Sequence, residues 1–199
     1  MHKYIIAEFI NKYWLETIDI HSKSVLTMAN CMYAYFAYLY FDFAGYSALA
    51  IGTGKMLGID VPVNFNKPFL AKNPQEFWQR WHKTLGDWLR DYFFKPFYKT
   101  LSTYKKMKPF PLLRQNIALF LTFLLMGCWN GFRFHFILSG SIFGFYSVVH
   151  NSYIYYSKKN RRDIIFGNLP KSVIKWISIF IMFNLAAFSV YVFSGKLTF

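Results

Sequence analysis

VLTMANCMYAYFAYLYFDFAGYSALAIGTGKML, residues 25–57, decides the class of this protein. A helix needs about 20 mostly apolar residues to cross a bilayer. This stretch exceeds that, and its only charges are Asp42 and Lys55. Asp42, Gly45, Gly52 and Gly54 interrupt the apolar run, so it reads as one span followed by a second, bent segment.

Three further apolar runs lie downstream. Residues 115–131 and 134–156 flank an Asn130-Gly131 turn, and residues 173–195 form a last span. The first of these is short for a full crossing, so tilting or partial entry is expected. The composition supports this reading: 55% of the residues are hydrophobic, 23% aromatic and only 16% charged. The 24 Phe and 15 Tyr are spread along the chain, as where rings fill a bundle in lipid or sit at its interfaces. The expected fold is an all-α integral membrane protein, a bundle of about three to five spanning or re-entrant helices.

The formal charge of +14 raises nucleic acid as a partner. The basic residues, however, cluster beside the apolar runs: Lys105, Lys106, Lys108 and Arg114, then Lys158, Lys159, Arg161 and Arg162. Short basic loops of that kind mark the cytoplasmic face, where anionic lipid is the counter-charge. Membrane lipid is therefore the expected partner, and nucleic acid is not. If 115–131 and 134–156 both cross, loops 104–114 and 157–171 fall on the same face. The opening MHKYIIAEFINKYW carries charges throughout and has no cleavage-site pattern, so it reads as an amphipathic helix rather than a leader. Cys31 and Cys128 lie in apolar runs and read as buried, reduced thiols.

Between the spans, residues 59–74 read as a loop from their Pro and Asn content. A helix follows with Asn73 as N-cap and Pro74 in its first turn. It continues as QEFWQRWHKTLGDWLRDYFF, Trp-rich but too charged to face lipid, which suits an interfacial or re-entrant position.

Polar groups at membrane depth are costly and invite a functional reading. Asp42 reads first as a structural carboxylate hydrogen-bonded to neighbouring helices. His82, between Trp81 and Lys83, reads equally as a packed histidine or as part of an interior polar patch with Arg80, Asp87, Arg90 and Asp91. Asn130 by itself is an Asn-Gly turn residue. His135 and His150 have no Asp, Glu or Cys at ligand spacing, so a metal is not expected. No phosphate loop, nucleophile elbow or carboxylate pair is present in the sequence.

YLYFDFAGYSALAIGTGKMLGI (38–59), NFNKPFLAKNPQEFWQRWHKTLGDWLRDY (64–92) and LLMGCWNG (124–131) resemble the C-terminal half of the membrane-bound O-acyltransferase family. The likeness is greatest to its bacterial branch that transfers D-alanine to teichoic acid. FNLAAFSVYVFSG (183–195) resembles that branch's last helix. The resemblance covers nearly all of residues 1–199. It implies that the N-terminal half of the family's domain is absent from this chain, which reads as a fragment, a split gene product with a separately encoded N-terminal half, or a degenerate copy.

The resemblance implies a plasma-membrane, multi-pass acyltransferase with no bound cofactor. Its acyl donor would be a phosphopantetheine thioester on a small acidic carrier protein, and its acceptor a hydroxyl of a cell-envelope polymer. A histidine in a Trp-His-Gly motif is the family's presumed general base, with a partner on the preceding Trp-rich helix. His82 matches the partner. The base position reads Trp129-Asn130-Gly131, and an amide has no pKa near neutrality. Losing a general base typically costs about 10²–10⁴-fold in rate. His135, five residues beyond Asn130, could replace it only in a rearranged helix. The alternative is therefore a catalytically inactive remnant that binds a carrier or partner subunit. A transporter or channel is disfavoured by the lack of inverted repeats and of a ring of charges.

Overall fold

A computed structural model of the chain describes residues 2–18, 24–160 and 169–196, and these are helices joined by loops. The N-terminal helix, α1, winds through His2–Ala7, Glu8–Ile10 and Asn11–Leu15 with wide π-type turns around a short α segment. It lies along α2 (Val25–Met56), whose first turn is capped by Ser24 accepting from the Leu26 N–H.

α2 is one continuous helix, contrary to the expected span plus bent segment. Gly45 and Gly54 are contact points within it. A Cβ on Gly45 would run into the Lys3 backbone of α1, and one on Gly54 would lie 2.5 Å from Cγ2 of Val61. Thirty-two residues at 1.5 Å each give about 48 Å, well beyond the hydrocarbon core.

The loop after α2 contains one 3₁₀ turn, Pro68–Leu70. The segment expected as one long helix is instead broken into α3 (Pro74–Trp78), α4 (Lys83–Leu89), a π turn (Arg90–Phe94) and α5 (Lys95–Thr103). Asn73 does cap α3, its Oδ1 accepting from the Glu76 N–H at 2.8 Å.

α6 (Pro111–Trp129) and α7 (Phe134–Asn160) form an antiparallel hairpin, and α8 (Lys171–Phe193) closes the bundle. α6 begins four residues before the expected 115, which gives it about 28 Å and removes the need for partial entry. The 157–171 segment begins as helix, since α7 runs to Asn160, and its Arg161 and Arg162 lie outside the described residues.

α6 and α8 are each long and apolar enough to cross a membrane. α2 and α7 are longer but more polar: α2 carries Asp42 and Lys55, and α7 carries His135, His150 and Asn151. Lipid is as apolar as leucine, so close packing and interhelix hydrogen bonds must hold such helices together. Both are present in the hairpin. Gly127, Gly140 and Gly144 let the backbones approach, while Asn116 donates to Ser152 Oγ (2.9 Å) and accepts from Asn151 Nδ2 (2.7 Å).

The core gathers around the broken helix. Phe77 stacks on Trp81 (5.6 Å between centroids) and on Phe143 of α7 (5.7 Å), while Phe36 of α2 packs against Trp81 at 5.8 Å. The buried stripe Met182, Ala186, Ala187 and Val190 of α8 completes the cluster. The Trp-rich segment is thus clamped between α2, α7 and α8, which sets the position of His82.

Candidate functional site

α3 stops where the loop takes over its hydrogen bonds. The Lys83 N–H donates to the Asn64 carbonyl (3.0 Å), and the Asn66 N–H donates to the Arg80 carbonyl (2.9 Å). Between these bonds His82 sits in the left-handed region at φ 44°, a conformation that costs a non-glycine residue about 1–3 kcal/mol. Its imidazole is half-buried, edge-to-face with Phe43 of α2 at 4.6 Å. Burial pushes its pKa below the ordinary histidine value, so the ring is neutral near pH 7 and can accept a proton.

Asn130 is the C-cap of α6, and the chain turns at Gly131, whose φ of 134° favours glycine. The Asn130 side chain donates from Nδ2 to the Met126 carbonyl at 2.8 Å, which leaves Oδ1 as an acceptor. His82 and Asn130 line one cavity of about 210 Å³, walled by Phe43, Trp81, Phe136 and Ser139 among others. The fold therefore brings the two sequence-predicted site residues together.

A second cavity of about 290 Å³ lies nearer the basic ends of α6 and α7. Gln75, Gln79, Gln115, Ser147, His150 and Asn151 contribute to its lining. Trp78 and Met126 line both cavities and form the wall between them. Trp78 Nε1 and Ser147 Oγ are buried without a hydrogen-bond partner among the described residues. Sequence reasoning missed this chamber, because these polar groups come from three separate helices.

Other candidates fall elsewhere. Asp42 is a structural carboxylate bonded to a neighbouring helix, as expected: Lys3 of α1 donates from Nζ to its Oδ1 at 2.5 Å. The expected interior polar patch is not formed. Arg80 pairs with Glu76 at 2.6 Å, and Arg90 bonds Asp87 (2.5 Å) and Asp91 (2.9 Å) on an exposed flank. The Asp91 carboxyl is held well below the usual carboxylate range by its hydrogen bonds to Arg90 and then Lys95. His135 cannot stand in for a base at Asn130: its Nδ1 lies 2.7 Å from the Phe193 carbonyl and its ring packs under Gly195. Cys31 is buried and Cys128 half-buried, both free thiols.

The model of the membrane-bound O-acyltransferase family matches residues 1–192. The chain is 38% identical over 200 aligned residues to the teichoic acid D-alanyltransferase of Bacillus subtilis (strain 168), covering 98% of this chain and 48% of the relative. It is 32% identical to the teichoic acid D-alanyltransferase of Streptococcus thermophilus (strain ATCC BAA-250 / LMG 18311), covering 99% and 49%. The peptidoglycan O-acetyltransferase of Helicobacter pylori (strain ATCC 700392 / 26695) is 36% identical over 74% of this chain and 25% of its own length. The chain spans about half the length of the two D-alanyltransferases.

Proposed function

Because this chain belongs to the membrane-bound O-acyltransferase family, we propose that it forms the His82 side of an O-acyl-transfer site of the D-alanyl type. The observation that carries this reading is the shared cavity of His82 and Asn130. In such a transfer, the acceptor hydroxyl attacks the thioester carbonyl carbon. The C–S bond breaks, the hydroxyl proton leaves, and the thiolate takes up a proton to become the free thiol. The acceptor here is a hydroxyl of a cell-envelope polymer.

Asn130 can accept a hydrogen bond from that hydroxyl but cannot remove its proton. His82, neutral and facing the cavity, would orient the acceptor beside it. The chain alone is therefore a binding half-site with transfer disabled at one position. Full activity in this reading further requires the half of the family's domain that lies outside the match to the two D-alanyltransferases.

The donor in this reading is a phosphopantetheine thioester carried by a small acidic protein at the cytoplasmic face. Its entry would run through the second cavity, past Trp78 and Met126. Lys99, Lys105, Lys106 and Lys108 form the basic surface nearest that side, whereas Lys95 is engaged by Asp91 at 2.7 Å. The topology that goes with it is multi-pass in the plasma membrane, with α2, α6, α7 and α8 crossing.

The test uses cells lacking their own D-alanyl transferase, with this chain expressed beside an N-terminal half. Teichoic-acid D-alanine ester content is measured. The unaltered chain is expected to give little ester, and Asn130→His to recover part of it in a manner that requires His82. Strong transfer by the unaltered Asn130 chain would show that the base lies elsewhere.

A further inference from the structure

In an unbroken helix the Lys83 and Thr84 N–H groups would donate to the carbonyls of Gln79 and Arg80. Asn64, from the loop after α2, diverts both of them. Its carbonyl takes the Lys83 N–H at 3.0 Å, and its Oδ1 accepts from the Thr84 N–H at 3.3 Å and from Thr84 Oγ1 at 2.6 Å. The Arg80 carbonyl, freed from Thr84, accepts instead from the Asn66 N–H at 2.9 Å. α4 has no side-chain cap of its own, since its N-cap residue is His82. Asn64 therefore caps α4 from a distant loop. Its Nδ2 also donates to Ser47 Oγ of α2 at 3.3 Å, on the helix that carries Phe43.

We propose that Asn64 is a positioning residue for His82: by capping α4 and tying the cap to α2, it holds the helix break open and sets the imidazole against Phe43 in the cavity. Arg80, bonded to Glu76 and to the Asn66 carbonyl, also ties this loop to the end of α3, but the Thr84 N–H at the start of α4 is taken by Asn64. Without the Asn64 side chain, the Thr84 N–H loses its partner. Only the backbone bonds from Lys83 to Asn64 and from Asn66 to Arg80 then hold the break, so the segment from Pro74 to Leu89 is freer to regularise. A regular helix would turn His82 out of its left-handed conformation and away from Phe43. The role presupposes, for its functional meaning, that His82 acts in the proposed transfer site.

The experiment follows the ring resonances of His82 in the full chain, labelled on histidine and held in lipid nanodiscs. His82→Gln assigns the signal, and Phe43→Leu defines the shift that accompanies loss of the ring contact. Asn64→Ala is expected to move the His82 signal comparably and to speed exchange of the Thr84 amide about tenfold, as for a lost helix cap. Asn64→Asp, which keeps the acceptor oxygen for Thr84 and can accept from the Ser47 hydroxyl in place of donating to it, is expected to restore both. If Asn64→Ala does not insert, Thr84→Val is read instead, with a smaller shift in the same direction. An unmoved His82 signal in either inserted variant overturns the role of Asn64. In the Asn130→His chain paired with its N-terminal half, D-alanine transfer should fall with Asn64→Ala and return with Asn64→Asp. Transfer that survives while the ring has moved overturns instead the role of His82 in the reaction.

Discussion

A Cβ added to Gly140 would lie 3.0 Å from the Cα of Gly127 and 2.5 Å from the Phe123 carbonyl oxygen, so α6 and α7 meet backbone to backbone where these glycines face each other. The contact sits beside the cavity, which both glycines line together with His82 and Asn130. Close approach at small residues is the main source of helix association where lipid removes the hydrophobic driving force.

Gly140→Val should therefore pry the hairpin apart and destabilise the chain by about 1–3 kcal/mol. Gly52→Ala is the contrasting variant, because a Cβ there meets nothing within 4 Å. It lies inside α2 and should be neutral or stabilising by about 0.5–1 kcal/mol. Thermal or denaturant unfolding in detergent measures both. Equal behaviour of the two variants would contradict the close-packed hairpin.

The hydrogen bonds from Asn116 to Ser152 and from Asn151 to Asn116 join the first turns of α6 to the C-terminal part of α7. The 104–110 loop and Lys158–Lys159 accordingly lie at the same end of the hairpin. Single cysteines at Lys106 and Lys159 should both be protected from an impermeant maleimide in intact cells and labelled after permeabilisation. Labelling of one position from outside would exclude the two-crossing arrangement.

If the proposed acidic carrier docks here, charge reversal at Lys99 and Lys105 should weaken co-purification, most clearly at low salt. Lys95→Glu should do less to docking directly, because Lys95 already serves Asp91. The comparison is made by pull-down across a salt series. Binding indifferent to both salt and these reversals would remove the basic surface as the docking site.

His82 gives the stability a pH dependence of known sign. Its folded pKa is depressed by burial, so the unfolded chain binds the proton more readily. The contribution is complete above the ordinary histidine value of about 6.5 and is lost as pH falls through the depressed value. Unfolding midpoints between neutral and mildly acidic pH should slope downward toward acid, and His82→Gln should flatten that slope. An unchanged slope in the variant would mean that the ring is not buried as described.

Much of this molecule was legible one residue at a time. Apolar runs gave α6 and α8 to within a few residues, Asn73 and Pro74 announced the start of α3, and the Asn130-Gly131 pair marked the hairpin turn. Local patterns of this kind depend on a few neighbours in sequence, so the chain states them directly. The family, too, was readable from the FDFAGYS and FWQRWH blocks, and the family model bears it out. The break at His82 was not. Every local signal from Pro74 onward favours a continuing helix, and the groups that stop it, Asn64 and Asn66, belong to a segment whose Pro and Asn content marks only a loop. The glycines of α2 misled for the same reason. Alone they suggest a bend, but Lys3 and Val61 arrive from elsewhere to fill the space they leave. Hydrogen bonds and contacts between distant segments exist only once the chain has closed on itself, and it is that closure which sets His82 and Asn130 in one cavity.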